Sequence, residues 1–150
     1  MAHKLAFIGF GTVGQGLAEI LRDKAGELEA HYDFEAQIVA ISDSTKGSVY
    51  HPDGLDVDTV LTSVGKTGSL DNYPAKAGLI RGLDSLTMIK NSNADTVVEV
   101  AWTDLKTGQP AIDHLRAAFE AGKNVVTSNK GPAALAYHQL QGLSGLNSAF

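Results

Sequence analysis

The chain has 150 residues, 43% hydrophobic and 19% charged, proportions of a globular protein long enough for one cored domain and too short for two of ordinary size. Its formal net charge of -5 offers no basic field to attract a phosphate backbone, which argues against nucleic acid as a partner. It contains no cysteine, which removes disulfides, thiolate metal sites and thiol nucleophiles together and fits a reducing compartment.

The opening stretch "MAHKLAFIGFGTVG" has neither the longer apolar region nor the small-residue cleavage site of a secretory leader. No apolar run approaches the roughly 18 to 20 residues that span a bilayer. A cytoplasmic chain without a membrane partner is expected. Leu5 to Phe10 is a continuous apolar run that suits a central strand covered on both faces. Thr12 to about His31 reads as one helix, with Val13, Leu17, Ile20, Leu21 and Leu28 as its apolar stripe. Gln37 to Ile41 is a second strand ending at "SDS", which completes a β-α-β unit.

From Thr45 to Lys76 the sequence is rich in turn formers, as in "KGSVYHPDG" and "GKTGSLDNYP", and predicts the least regular part of the chain. Between those stretches Val57 to Val64 reads as a short helix with Asp56 as its cap. Asp84 to Asn91 predicts another helix and Thr96 to Val100 a β-branched strand. Pro110 to Ala121 has a proline near its start, Gly122 just past its end, and Ile112, Leu115, Ala118 and Phe119 on one face, the pattern of an amphipathic helix. Val125 to Thr127 is a strand and Pro132 to Leu140 a helix. The expected fold is α/β, a doubly wound parallel sheet of the Rossmann type with right-handed crossovers. Residues 1–140 form the domain, and 141–150, where "QGLSGLNSAF" loses the helical pattern, a frayed or truncated end.

Gly9-Phe10-Gly11-Thr12-Val13-Gly14 fits G-x-G-x-x-G between a strand and a helix. Gly9 would make the tight turn, Gly11 would let a pyrophosphate approach the backbone, and Gly14 would let the helix pack on the strand. Free amides and the positive helix end would meet the phosphate charge. The competing reading is a structural turn alone. A dinucleotide site also needs an acid at the end of the second strand, and Asp43 stands there as a ribose acceptor or else as a turn residue of "SDST". Asp43 would repel a 2′-phosphate and Lys46 would partly offset it, so NAD is favoured over NADP.

Two further strand ends carry polar groups: "VVEVAWTD" leads to Thr103 and Asp104, and "VVTSNKGP" to Ser128, Asn129 and Lys130. In doubly wound sheets such ends face the ligand crevice. Lys130 would bind substrate or move a proton there, against the alternative of a solvated lysine at a helix start. Trp102 is a cofactor wall or a core aromatic, and Glu99 a strand-end acid or a structural hydrogen-bonding group. His3, His31, His51, His114 and His138 lack metal-ligand spacing, so no metal is expected, and His114 and His138 read as helix-surface residues.

The segments "GFGTVGQGLAEIL", "IVAISDS", "GSVYHPDGLD" and above all "TGQPAIDHLRAAFEAGKNVVTSNKGPAAL" resemble the nucleotide-binding half of homoserine dehydrogenase, from about Lys4 to Leu140. That family interconverts L-homoserine and L-aspartate 4-semialdehyde by hydride transfer with NAD or NADP, in threonine and methionine biosynthesis. The resemblance implies pyrophosphate contacts at Phe10 to Val13 and a ribose contact at Asp43. It implies nicotinamide-side contacts at Ala101, Trp102 and Thr103, a cofactor contact at Ser128, and a functional lysine, catalytic and cofactor-binding, at Lys130. Where many relatives have a Thr-Pro-like pair, this chain has Ala101-Trp102. The family's substrate domain, with a second lysine and acidic residues, is expected beyond the end of this chain, so the chain alone is expected to bind cofactor without turnover. A homodimer is one assembly the resemblance allows. Two other readings stay open: a non-catalytic nucleotide-binding sensor module, and a related dehydrogenase of another small amino-acid aldehyde or imine.

Overall fold

The computed structural model describes residues 1–145. Along the chain lie β1 (His3–Ile8), α1 (Thr12–Asp23), α2 (Ala25–Tyr32), β2 (Ala36–Asp43), β3 (Gly47–Tyr50), α3 (Val57–Thr67) and β4 (Ile80–Arg81). Then follow α4 (Ser85–Asn91), β5 (Thr96–Glu99), α5 (Ala111–Glu120), β6 (Asn124–Thr127), α6 (Lys130–Leu135) and α7 (Tyr137–Leu143). Of the expected 141–150 end, α7 occupies the first residues through Leu143, and 146–150 lie outside the described residues.

The sheet runs in the order β4-β3-β2-β1-β5-β6. The four strands β2, β1, β5 and β6 are parallel, the doubly wound core that alternating strands and helices predict. The β3 and β4 strands depart from expectation, because both are antiparallel to their neighbours; β3 lies within the stretch read as irregular and β4 just beyond it. The turn formers there close a hairpin: Asp43 Oδ1 accepts from the amides of Thr45 and Lys46, and Gly47 takes the left-handed backbone that starts β3 at φ 90°.

Alternation along the central strand divides the core. Ala6 and Ile8 pack with Met88, Ile89, Leu115 and Phe119 on the face covered by α4, α5 and α7. Leu5 and Phe7 face the other side with Phe10, Ala18, Val60 and Leu70 under α1 and α3, the period-2 alternation of a strand buried on both sides.

The first helix is corrected in two ways. It breaks at Lys24 into α1 and α2; α2 buries no residue, so the core does not hold it in line with α1. Its inward face also follows the expected stripe only in part, with Leu17 and Leu21 packed on the core. Gly14 and Ala18 are buried, while Val13 and Ile20 are more than half exposed. A Cβ on Gly14 would lie 2.8 Å from the Gly9 carbonyl oxygen, so the helix approaches the strand on its smallest residues and turns two large ones outward. The predicted 132–140 helix likewise begins earlier, at Lys130, and divides at Ala136.

The α3 helix starts as its cap predicts, with Asp56 accepting from the Thr59 amide, and α4 starts with Asp84, read as the first helical residue, accepting from the Thr87 amide as its N-cap. At the edge opposite the parallel strand ends, buried Lys123 donates to the Ser92 and Ala94 carbonyls at 2.7 and 2.8 Å. Among the described residues no helix is long and apolar enough to cross a membrane.

Candidate functional site

Parallel pairing brings the carboxyl ends of β1, β2, β5 and β6 to one edge. There a crevice of about 800 Å³ opens, lined by Gly9 and Gly11 from the glycine turn, Asp43 and its neighbours from β2, and Val100, Ala101 and Trp102 after β5. Asp71, Gly82 to Ser85, Pro110 and His114 complete it. The volume lies within the range of small-ligand clefts, roughly 300 to 1,000 Å³.

The three glycines do different work. Gly9 has φ 93°, and a Cβ there would stand 2.5 Å from the Ala101 backbone nitrogen, so both conformation and space demand glycine. Gly14 is the contact point of helix and strand. Gly11 is constrained by no neighbour: a Cβ would meet nothing within 4 Å. It is the N-cap of α1 and supplies no side-chain cap, leaving the first-turn amides of Thr12, Val13 and Gly14 without intrahelical partners. Phe10 is fully buried, its carbonyl accepting from Gln15 Nε2 at 2.9 Å and its amide donating to Asp43, so its side chain and backbone are both taken up within the protein.

Asp43 is tied to that turn. Its Oδ2 accepts from the Phe10 amide at 2.8 Å, and Oδ1 accepts from Thr45 N, Thr45 Oγ1 and Lys46 N at 2.9 to 3.0 Å. The turn reading of this residue therefore holds, and the same residue lines the crevice. Burial would by itself raise the Asp43 pKa, but these donors outweigh it and hold the carboxyl below its usual range. A depressed folded-state pKa gives stability that is present above the unfolded value, near ~3.9, and is lost as pH falls through the folded value. Asp43→Asn should therefore lower the Tm at neutral pH, and its deficit against the unmodified chain should shrink as both are melted at successively lower pH below about 4. A deficit that stays constant down to the acid end would contradict this assignment. Lys46 Nζ stands 3.9 Å from Asp43 Oδ1. The crevice lining itself carries three acids, Asp43, Asp71 and Asp84, and neither lysine nor arginine.

On the other side, Trp102 is 78% exposed, so it is not a core aromatic, and it borders the crevice. Glu99 at the end of β5 has no exposure. Its Oε1 accepts from His114 Nδ1 at 3.2 Å and from the Ala101 amide at 3.3 Å. Its Oε2 accepts from Thr127 Oγ1 at 3.2 Å and from Asn129 Nδ2. Asn129 Nδ2 also donates to the Ala101 carbonyl at 2.9 Å. Glu99 thus binds the ends of β5 and β6 and the first turns of α5 into one polar node.

His114 is buried at 4% exposure, which corrects its reading as a surface residue. The signal was present: it sits among Ala111, Ala117 and Ala118 on the buried side of α5. Ser85 and Asp84, read only as part of a helix start, also line the crevice.

Of the expected site residues, Gly9, Gly11, Asp43, Ala101 and Trp102 line the crevice. Thr12, Val13 and Gly14 form the first turn of α1 behind it. Thr103, Ser128 and Lys130 are outside the lining. Lys130 begins α6 and is exposed. Its turn nonetheless docks on the loop after β5, since a Cβ on Gly131 would lie 2.9 Å from Gly108 Cα and 3.3 Å from Thr103 Cγ2. Among the described residues no cluster of His, Asp and Glu could hold a metal ion.

Residues 2–104 match the Glutamate/Leucine/Phenylalanine/Valine dehydrogenase family. The chain belongs to this dehydrogenase family. Over nearly its whole length the chain is also similar to homoserine dehydrogenase. It is 43% identical over 136 residues to the homoserine dehydrogenase of Methanocaldococcus jannaschii, covering 91% of this chain and 39% of the relative. It is 34% identical over 146 residues to the NAD(+)-dependent homoserine dehydrogenase of Pseudomonas canavaninivorans, covering 97% and 41%. A solved hyperthermophilic archaeal homoserine dehydrogenase mutant in complex with NADPH superposes with a TM-score of 0.76 at 25% identity, over 96% of this chain and 41% of that one. The dehydrogenase chain described here is thus a homologue of homoserine dehydrogenase and spans about 40% of the length of these relatives.

Proposed function

We propose that this chain is the NAD(P)-binding portion of an oxidoreductase that interconverts L-homoserine and L-aspartate 4-semialdehyde. The observation that carries the reading is Gly11. Nothing in the chain itself forbids a side chain there, so the open space beside the uncapped start of α1 suits a group from outside, and a pyrophosphate matches its amides. Asp43 is then poised for the adenosine ribose through the remaining capacity of Oδ2, which takes one donor where Oδ1 takes three. The bound nicotinamide supplies or accepts the hydride.

The acidic lining favours NAD, because a 2′-phosphate would meet Asp43, Asp71 and Asp84 with only Lys46 near by. Trp102 and Ala101 wall the nicotinamide side. Lys130 holds the substrate or moves a proton at the carbon that exchanges hydride, on a turn anchored by Asn129. Substrate recognition resides in sequence outside this chain, so the chain alone binds cofactor without efficient turnover. A cytoplasmic setting and a homodimer fit the reading.

The test is a parallel titration with NADH and NADPH, following fluorescence of the sole tryptophan, Trp102, and energy transfer to the nicotinamide. Saturable binding, tighter for NADH, is expected. A folded chain that binds neither nucleotide would sink the proposal. Homoserine-dependent reduction of NAD by this chain alone, at the rate of a complete enzyme, would overturn the division of labour.

A further inference from the structure

The buried node at Glu99 reaches the crevice through one residue that the cofactor reading leaves unused. Each Glu99 oxygen takes two donors, His114 Nδ1 with the Ala101 amide and Thr127 Oγ1 with Asn129 Nδ2. Those four fill the acceptor sites of a carboxylate. The Asn129 amide is oriented independently, because its Nδ2 also donates to the Ala101 carbonyl. His114 must therefore carry its hydrogen on Nδ1, and the neutral ring offers Nε2 as an acceptor. Nε2 lies 2.9 Å from Ser85 Oγ. The Ser85 hydroxyl spends its only hydrogen on that bond, which leaves its oxygen with lone pairs to offer and no hydrogen, and Ser85 is one of the residues that line the crevice.

We infer that Ser85 is a cofactor-binding residue whose hydroxyl, held as an acceptor by the Glu99–His114 pair, takes a hydrogen bond from a ribose hydroxyl or amide N–H of the bound dinucleotide. The inference rests on the dinucleotide reading of the crevice and adds to it a contact from α4. In this arrangement Glu99 and His114 are positioning residues and do not themselves touch the ligand. A partly buried site that presents a lone acceptor discriminates for ligands carrying a donor there, since a ligand that covers it without one leaves the acceptor unpaired.

The test compares NADH binding to the unmodified chain, Ser85→Ala and Ser85→Thr. Ser85→Ala should raise the Kd roughly 5- to 30-fold, the worth of one such hydrogen bond, with little change in Tm. Ser85→Thr, which keeps the hydroxyl, should restore most of the affinity. Nitrogen-detected NMR of His114 should show the hydrogen on Nδ1. If the unmodified chain binds NADH and Ser85→Ala binds it equally well, the inference fails while the cofactor reading stands. Equal losses for alanine and threonine would also overturn it, as would a His114 ring protonated only on Nε2. If the unmodified chain does not bind NADH, both fall together.

Discussion

Replacing Gly11 with alanine is expected to abolish most cofactor binding and spare the fold, whereas the same change two residues earlier should damage the fold itself. At Gly11 a Cβ meets no atom of the described residues beyond its chain neighbours within 4 Å. Glycine and alanine at an N-cap differ by about 1 kcal/mol or less, so the Tm should move by only a few degrees. The new methyl would stand where the pyrophosphate must approach the backbone, and an affinity loss of about 100-fold, or ~2.8 kcal/mol, is expected for NADH. Gly9→Ala instead puts a Cβ 2.5 Å from a backbone nitrogen at φ 93°. Strain and overlap together should cost about 3 kcal/mol or more, a Tm drop of roughly 6–12 °C for a chain of this size. Melting curves and NADH titrations of the two variants separate the effects. If Gly11→Ala bound NADH like the parent, the phosphate cradle would have to lie elsewhere.

Glu99→Ala should be the most destabilising single change in the site. The carboxylate is fully buried and satisfies His114, Thr127, Asn129 and the Ala101 amide. Its removal leaves four donors, one buried and three partly buried, without a shared acceptor. Breaking a buried charged node of this kind costs about 3–5 kcal/mol, a Tm loss of roughly 10 °C. Glu99→Gln keeps the shape but turns an amide N–H₂ toward donors, so a smaller loss of about 1–3 kcal/mol is expected. Amide hydrogen exchange should show the damage concentrated at residues 127–131 and at the start of α5, because those segments meet at Glu99 and at little else polar. A Glu99→Gln protein with parental stability and unchanged exchange at Asn129 would mean that the node does not hold the turn of Lys130.

The most legible features in the sequence were those set by neighbouring residues. The apolar run of β1, the glycine turn, the Asp56 cap and the amphipathic face of α5 depend on contacts within a few residues, and each stood where the pattern put it. The hairpin strand β3 was missed because "GSVY" is four residues long and its partner is chosen by the turn at Asp43, a hydrogen-bonding arrangement that periodicity does not register. The inward face of α1 was misjudged for a related reason. Counting large apolar residues finds a stripe through Val13 and Ile20, but close packing on a strand is decided by which side lets the backbones approach, and that side carries Gly14 and Ala18.

The sequence by itself determined that this chain would build a parallel α/β sheet, place a glycine turn at the carboxyl edge of its first strand, and set an acid at the end of the second. Tertiary structure alone decided that Ser85, His114, Glu99 and Asn129, which are far apart in the chain, would form one hydrogen-bonded path from the crevice wall to the turn of Lys130. The physical reason is that helices and turns are specified by local spacing. Burial of a carboxylate demands donors from whatever elements the fold happens to bring around it, and in this molecule those elements are two strand ends and a helix that meet only when the sheet closes.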